Sequence, residues 1–341
     1  MAGLCSRLVA RGHDVTLITL DNGQNDKHAI GPGVKRICLD VMSDSNGMIS
    51  AARNLGRRIR AAVNTIDPEV LLSFCDRCNV LAGLACGGHV PTILSERSDP
   101  SHQTLPTVWR LLRRLAYRRT DLVIAQTQDS ADYFADFGVP CGSIGSAVES
   151  PPVVRDASQA SRNRTVIAVG RFSPEKGLDQ LVGAFAIVQK RHPDWSLQIL
   201  GDGPLRESLQ EQIEGLNLTE SVELPGWIHP IWDKLAAATL FVLPSRYEGF
   251  PSALLEAMAC GVPSIALNRQ SGSRAIIDPG RNGLLAGDDV NSIANAIETL
   301  ISDAVLRERL GSAGREVVNR FSWETMVDQY ERALVTVAGK G

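Results

Sequence analysis

The sequence predicts an α/β chain built from two doubly wound domains, each a mostly parallel sheet with helices on both faces. Three observations predict it: a length of 341 residues, short β-branched or apolar runs alternating with helical patterns in both halves, and a polar, proline-bearing stretch between them. A chain this long, 44% hydrophobic and 21% charged, exceeds one ordinary domain and suits two of about 150 residues each.

In the first half the short runs cover residues 15–20, 34–39, 70–74, 91–95 and 122–125. In the second they cover 165–169, 196–200, 222–224, 240–243 and 264–267. Strands spaced by helical patterns make βαβ units, hence parallel sheets. Leu178, Leu181, Val182 and Phe185 form one helical stripe after Ser173-Pro174, and His192-Pro193 ends it. Residues 149–163 (ESPPVVRDASQASRN) lack apolar periodicity and read as a linker. The expected domains are 1–155 and 156–341. A last helical pattern, 322–333, opens on Ser322 as N-cap, sets Met326, Val327 and Tyr330 on one face, and is free to pack back on the first domain.

The start is unusual. A doubly wound domain opens with a buried strand and a tight turn, yet residues 2–10 already read as a helix with Gly12-His13 as its exit. The first strand of the N-terminal domain is therefore expected to be missing.

Composition narrows the function. A net charge of −3, from 35 basic and 38 acidic residues, gives no global case for nucleic-acid binding, so an anionic partner must be met locally. Seven scattered cysteines lack the density of a disulfide scaffold and point to a reducing, cytoplasmic setting. No run of about 18 apolar residues is present, so membrane contact is expected to be peripheral. Two basic helical patterns offer themselves for it. Residues 50–65 carry Arg53, Arg57 and Arg60, and residues 108–119 carry Arg110, Arg113, Arg114 and Arg118 beside Leu111, Leu112 and Leu115. Either meets anionic lipid or an acceptor diphosphate, or is a solvated face over a core.

The segment 245–256, SRYEGFPSALLE, carries the chemistry. Seven residues separate Glu248 from Glu256, and Gly249 with Pro251 marks a turn into a helix starting near Ser252. The free amides of Ala253, Leu254 and Leu255 at that helix tip suit a diphosphate. Glu248 is placed to reach sugar hydroxyls, Glu256 to accept from a ribose diol. Arg171, after Gly170, and Lys176 lie on the carboxyl edge of the sheet, where open α/β sheets bind ligands. Two cations there hold a leaving diphosphate and offset charge developing in the transition state. Gly201 and Gly203 follow the next strand and permit close approach of a ligand, or simply a tight turn.

These elements, in this order, resemble glycosyltransferase family 4, retaining sugar transferases of the GT-B fold, in which two Rossmann-like domains face a cleft. The likeness runs through RGHDVTLITL, LSERSDP, VGRFSPEKG, LQILGDGP, VELPGW, FVLPSRYEGFPSALLEAMACGVPSIA and FSWETMVDQYERAL. It implies that Arg171 and Lys176 contact the donor phosphates, Glu248 the transferred sugar and Glu256 the ribose. The donor segment would run through Gly249, Phe250, Pro251, Ser252, Ala253, Leu254 and Leu255, with Trp227 and Ile228 facing the nucleobase. It further implies a nucleotide-sugar donor, UDP-linked in many members, and a glycan or polyprenyl-diphosphate-linked acceptor of lipopolysaccharide or exopolysaccharide synthesis at the inner face of the plasma membrane. Glu96 and Arg97 are candidates to orient a sugar or to form an intradomain salt bridge, and His102 lies near a position where the family holds a histidine against the sugar. No Asp-x-Asp occurs, so no metal and no cofactor is expected. Cys75 and Cys78 have zinc-like spacing without a second pair. Two other readings stay open: a GT-B sugar-nucleotide epimerase, and a catalytically silent nucleotide-sugar-binding protein. A dehydrogenase lacks its glycine fingerprint here.

Overall fold

A computed structural model of the chain describes residues 1–23, 29–40, 48–103, 105–153, 155–269 and 271–339. They form two compact units: Ser146–Trp323, and Met1–Gly145 together with Glu324–Gly341.

In the unit Ser146–Trp323 six strands form one parallel sheet: β7 (Thr165–Val169), β8 (Ser196–Leu200), β9 (Val222–Gly226), β10 (Leu240–Leu243), β11 (Ser264–Leu267) and β12 (Leu284–Ala286). Their order is β12-β11-β10-β7-β8-β9. The chain winds outward from β7 to β9, returns to the centre at β10 and winds the other way. Both sheet faces are covered, so strand residues alternate between two cores. Val166, Ala168, Leu240 and Val242 join one core with the helix Leu178–Arg191. Ile167, Phe241 and Leu243 join the other with the helix Ser252–Ala259. Alternation with a period of two is what a strand buried on both faces requires.

The other unit holds a two-stranded parallel sheet, β1 (Thr16–Thr19) with β2 (Lys35–Cys38). It also holds a four-stranded parallel sheet ordered β3 (Leu71–Phe74), β4 (Thr92–Ser95), β5 (Leu122–Ala125), β6 (Cys141–Ser143). The chain's first element is the helix Ala2–Ala10. The last helix, Trp323–Ala338, is tied into this unit: Tyr330 Oη lies 2.9 Å from Ser95 Oγ, and Glu331 receives Arg11 at 2.5 Å and His13 Nε2 at 2.7 Å.

Two expectations need correction. The stretch read as a linker contains a helix, Ala157–Asn163. Polar docking holds it: Asp156 Oδ1 accepts from the Ser158 amide at 2.9 Å, and Thr239 Oγ1 donates to the Ala160 carbonyl at 2.6 Å. Residue 154 of that stretch lies outside the described residues. The helix Thr107–Tyr117 buries Arg113 and exposes Leu111 and Leu115, the reverse of an apolar face over a core. Arg113 is held inside by Gln103 Oε1 at 2.6 Å and Tyr133 Oη at 2.9 Å, with its guanidinium over the rings of Tyr133, Phe134 and Phe137. Among the described residues no helix is long and apolar enough to cross a membrane.

Candidate functional site

β7 and β10 are neighbours, but the chain leaves them in opposite directions, which opens a crevice beyond their carboxyl ends. The loops after these strands carry the predicted residues and are pressed together by backbone. Gly177 has φ +61°, and a Cβ there would fall 2.1 Å from the Pro244 carbonyl oxygen. Gly201 and Gly203 do a related job on the other side. A Cβ on Gly201 would meet the Gly170 oxygen at 1.9 Å, and one on Gly203 the Phe172 carbonyl oxygen at 2.6 Å. Their missing side chains make room for the loop 170–172, and Phe172 N–H completes the contact by donating to the Asp202 carbonyl at 2.9 Å.

That compression brings Lys176 and Glu248 together. Lys176 Nζ donates to Glu248 Oε1 at 2.5 Å, and Ser245 Oγ donates to the same oxygen at 2.8 Å. The side chains are only 24% and 13% exposed. The loop is braced from behind by Arg246. Its amide donates to the Glu175 carbonyl at 2.7 Å, and its guanidinium grips Asp179 through both nitrogens at 2.9 and 2.6 Å. Burial raises the Asp179 carboxyl, but the hydrogen bond and charge of Arg246, together with hydrogen bonds from the backbone, outweigh it and hold the group below its usual range. Gly170 backs the Lys176 stem, 3.5 Å from where a Cβ would stand. Arg171, on the same loop at the sheet edge, is exposed; its carbonyl accepts from the Ser173 amide at 2.9 Å, while its side chain makes no hydrogen bond or ion pair among the described residues.

Four residues after Glu248 the helix Ser252–Ala259 begins. Its N-cap is Pro251, which offers no side-chain oxygen, and the first amide to find a carbonyl is that of Leu255, which donates to Pro251 at 3.3 Å. Among the described residues the amides of Ser252, Ala253 and Leu254 have no partner. The side chains of Phe250, Pro251, Leu254 and Leu255 are buried, so any donor contact from them is through backbone. Gly272 lets another helix press on this turn: a Cβ there would stand 2.8 Å from the Gly249 oxygen. Glu256 lies one turn inside the helix, on the same face as Ser252. It is half-buried, and burial pushes its carboxyl up to about 7 with no hydrogen-bond partner among the described residues. Trp227 follows β9, 71% exposed and stacked on His229 with ring centroids 6.5 Å apart, while Ile228 packs on the core.

The candidates of the other unit behave differently. Glu96, directly after β4, is 1% exposed and accepts a hydrogen bond from Tyr117 Oη. Burial pushes it up to about 7 against the opposing pull of Asn79, Arg113 and Gln103. It braces the helix Thr107–Tyr117, is turned away from solvent and forms no salt bridge among the described residues. Arg97 is half-buried and hydrogen-bonded to Tyr330. His102 is held through Nδ1 by Asp99 Oδ2 at 3.1 Å, and Asp99, 6% exposed, also takes the Ser101 amide at 2.9 Å and hydroxyl at 2.6 Å.

Sequence reasoning missed Asp99 as the anchor of His102, Ser245 as the second donor to Glu248, and the Arg246–Asp179 clamp. The first two had a signal, each lying three residues from its partner. The third joins residues 67 apart and had none.

Two Rossmann-like α/β units with parallel sheets, one of them doubly wound and carrying this loop pair, place the chain in the GT-B fold class. Residues 154–317 match the profile of the glycosyl transferases group 1, and residues 1–144 that of Glycosyltransferase Family 4. The lipopolysaccharide core biosynthesis glycosyltransferase LpsE of Rhizobium meliloti is 31% identical over 65% of this chain and 67% of its own. The chain belongs to glycosyltransferase family 4. It is also 31% identical to an exopolysaccharide phosphotransferase of Streptomyces coelicolor, over 83% of this chain but only 30% of that protein. An N-acetylgalactosaminyltransferase of Campylobacter jejuni whose name specifies a diphospho-undecaprenol-linked saccharide is 27% identical over 75% of this chain and 70% of its own. The chain spans 49% of an uncharacterized glycosyltransferase of Haemophilus influenzae. Among solved structures, sucrose-phosphate synthase of Thermosynechococcus elongatus superposes with TM-score 0.85 at 22% identity, covering 99% of this chain and 92% of that one. HepE of Anabaena, solved with UDP, superposes with TM-score 0.79 at 21% identity, covering 98% and 96%.

Proposed function

We propose that the chain transfers a hexose or N-acetylhexosamine from a UDP-sugar, with retention, to a glycan or polyprenyl-diphosphate-linked saccharide. The observation that carries this is the junction of Lys176 and Glu248, 2.5 Å apart, just before a helix whose first three amides lack partners among the described residues. A diphosphate placed on those amides meets the positive end of the helix. Lys176 then exchanges its carboxylate for phosphate oxygen, and Glu248 is released to accept from sugar hydroxyls. The exposed Arg171 closes on the diphosphate from the loop after β7, and Glu256 receives the ribose diol. Trp227 and Ile228 lie beside the base.

As the bond between anomeric carbon and phosphate oxygen breaks, Lys176, Arg171 and the amides stabilise the charge building on the leaving diphosphate. The acceptor hydroxyl attacks from the face that the diphosphate leaves and gives its proton to the departing oxygen, so no carboxylate nucleophile is needed. These side chains meet the charge of the diphosphate without a metal ion. Family relatives named for lipopolysaccharide and lipid-linked glycan synthesis support the acceptor class.

The test is a donor screen by mass spectrometry against short lipid-linked saccharides, with the new linkage read by NMR. A product whose anomeric proton keeps the donor's configuration is expected, with the donor unchanged when acceptor is omitted. Inverted product, or rearranged sugar formed from donor alone, contradicts the proposal.

A further inference from the structure

The helix Thr107–Tyr117 carries three exposed large apolar side chains: Val108 at 61%, Leu111 at 67% and Leu115 at 52%. At about 100° per residue these three fall within about 60° of one another, roughly opposite the buried side of Trp109, Arg113, Ala116 and Tyr117. Arg110, Arg114 and Arg118 fall along one flank of that stripe, and Arg119 follows; all four are exposed and none is in an ion pair among the described residues. From Gln103 to Arg119 the sequence contains five arginines and no acidic residue.

An ordinary surface helix turns leucines in and arginines out. Here the interior site is taken by Arg113 over three aromatic rings, which leaves Leu111 and Leu115 outside while Leu112 packs on the core. The helix Met48–Ile66 makes the contrast: it too carries several arginines, but it buries Ile59 and Val63 and exposes Arg53, Arg57 and Arg60, a solvated face.

We infer that the outer face of Thr107–Tyr117 docks on an anionic lipid bilayer. Val108, Leu111 and Leu115 enter the acyl boundary, and the arginine row meets lipid phosphates. Charge complementarity selects this occupant, because an arginine row that bonds Thr107 Oγ1 and the Phe137 carbonyl and lies over the Phe137 ring, but pairs with no carboxylate among the described residues, stands beside an apolar stripe and matches a surface that offers phosphate and hydrocarbon side by side. The inference rests on this helix alone and stands whatever sugar or acceptor the enzyme uses.

The test is co-sedimentation of the full chain with vesicles of phosphatidylcholine alone and of phosphatidylcholine with one third phosphatidylglycerol. Binding to the anionic vesicles that weakens with salt is expected. The pair Leu111→Ser with Leu115→Ser should lower the partition at least about tenfold, as should joint replacement of Arg110, Arg114 and Arg118 by Gln. Val305→Ser, at a 79% exposed apolar position elsewhere, should leave binding unchanged. Equal binding to both vesicle types, no binding to either, or full binding by the Leu pair overturns the inference. So does a dimer in solution that the Leu pair dissociates, since a second copy would then cover this face.

Discussion

Glu248→Ala is expected to lower sugar transfer by at least about a hundredfold while leaving the chain folded. Glu248 holds Lys176 at 2.5 Å and is itself held by Ser245 at 2.8 Å. Its loss removes a contact proposed for the sugar and unpairs a half-buried lysine. Because that pair lies between the exposed and the buried regime, the stability cost should be about 1–2 kcal/mol. Glu248→Gln separates the two roles. The amide keeps the size and removes the charge that competes for Lys176, so UDP should bind as well as to wild type or better, while transfer still falls. Steady-state kinetics beside calorimetry of both variants makes the check. Near-normal turnover in either one refutes the role given to Glu248.

Glu256→Gln is expected to move binding and stability in opposite directions. In the free protein, burial without a partner lifts this carboxyl from 4.5 to about 7. A ribose diol donates to the ionised form, so UDP affinity in the wild type should rise roughly tenfold between pH 6 and pH 8 as that form becomes dominant. The Gln variant should lose this pH dependence. Comparing the two proteins cancels the titration of the nucleotide itself. Stability has the other sign. The folded pKa of an acid is raised here, so the fold is progressively penalised as pH rises above about 4.5, in full above about 7. Glu256→Gln should therefore melt at a higher temperature than wild type at pH 8 and at the same temperature near pH 4.5. A variant that melts lower at pH 8 would show the carboxylate to be a structural support. A carboxylate buried at a cost to the fold is what a binding group held ready for its ligand looks like.

Much of this architecture is readable in the sequence because parallel strands buried on both faces are continuous apolar runs. β5, β7, β8, β10 and β11 fall on their predicted residues. β6 and β12, three residues each at sheet edges, are too short to stand out, and Cys141-Gly142-Ser143 has no strand-like composition. β9 runs two residues further than expected, through Pro225 and Gly226. Proline is tolerated there because β9 is an edge strand.

Side-chain orientation was harder to read. The pattern in 107–117 announces an amphipathic helix, but which face turns inward is decided by the aromatic cluster at 133–137, which takes up Arg113. The adjacent charges Glu96 and Arg97 look like a surface pair, yet Tyr117, 21 residues on, claims the first and Tyr330 the second. The glycines at 201 and 203 were legible as close-approach positions, but only the fold reveals that the approaching body is the loop 170–172. Lys176 and Glu248 were each found from local context. Their direct contact across 72 residues follows from strand order, which places β7 beside β10.

Calorimetric titration of UDP, with GDP in parallel, into the wild type and into Lys176→Ala and Arg171→Ala at pH 8 reaches the core of the account most directly. Saturable binding to the wild type is predicted, weakened at least about tenfold by each substitution, as expected for loss of a charged phosphate contact. Undiminished affinity in both variants, or no binding of either nucleotide to the wild type, would mean that these two cations and the open helix end do not share a diphosphate.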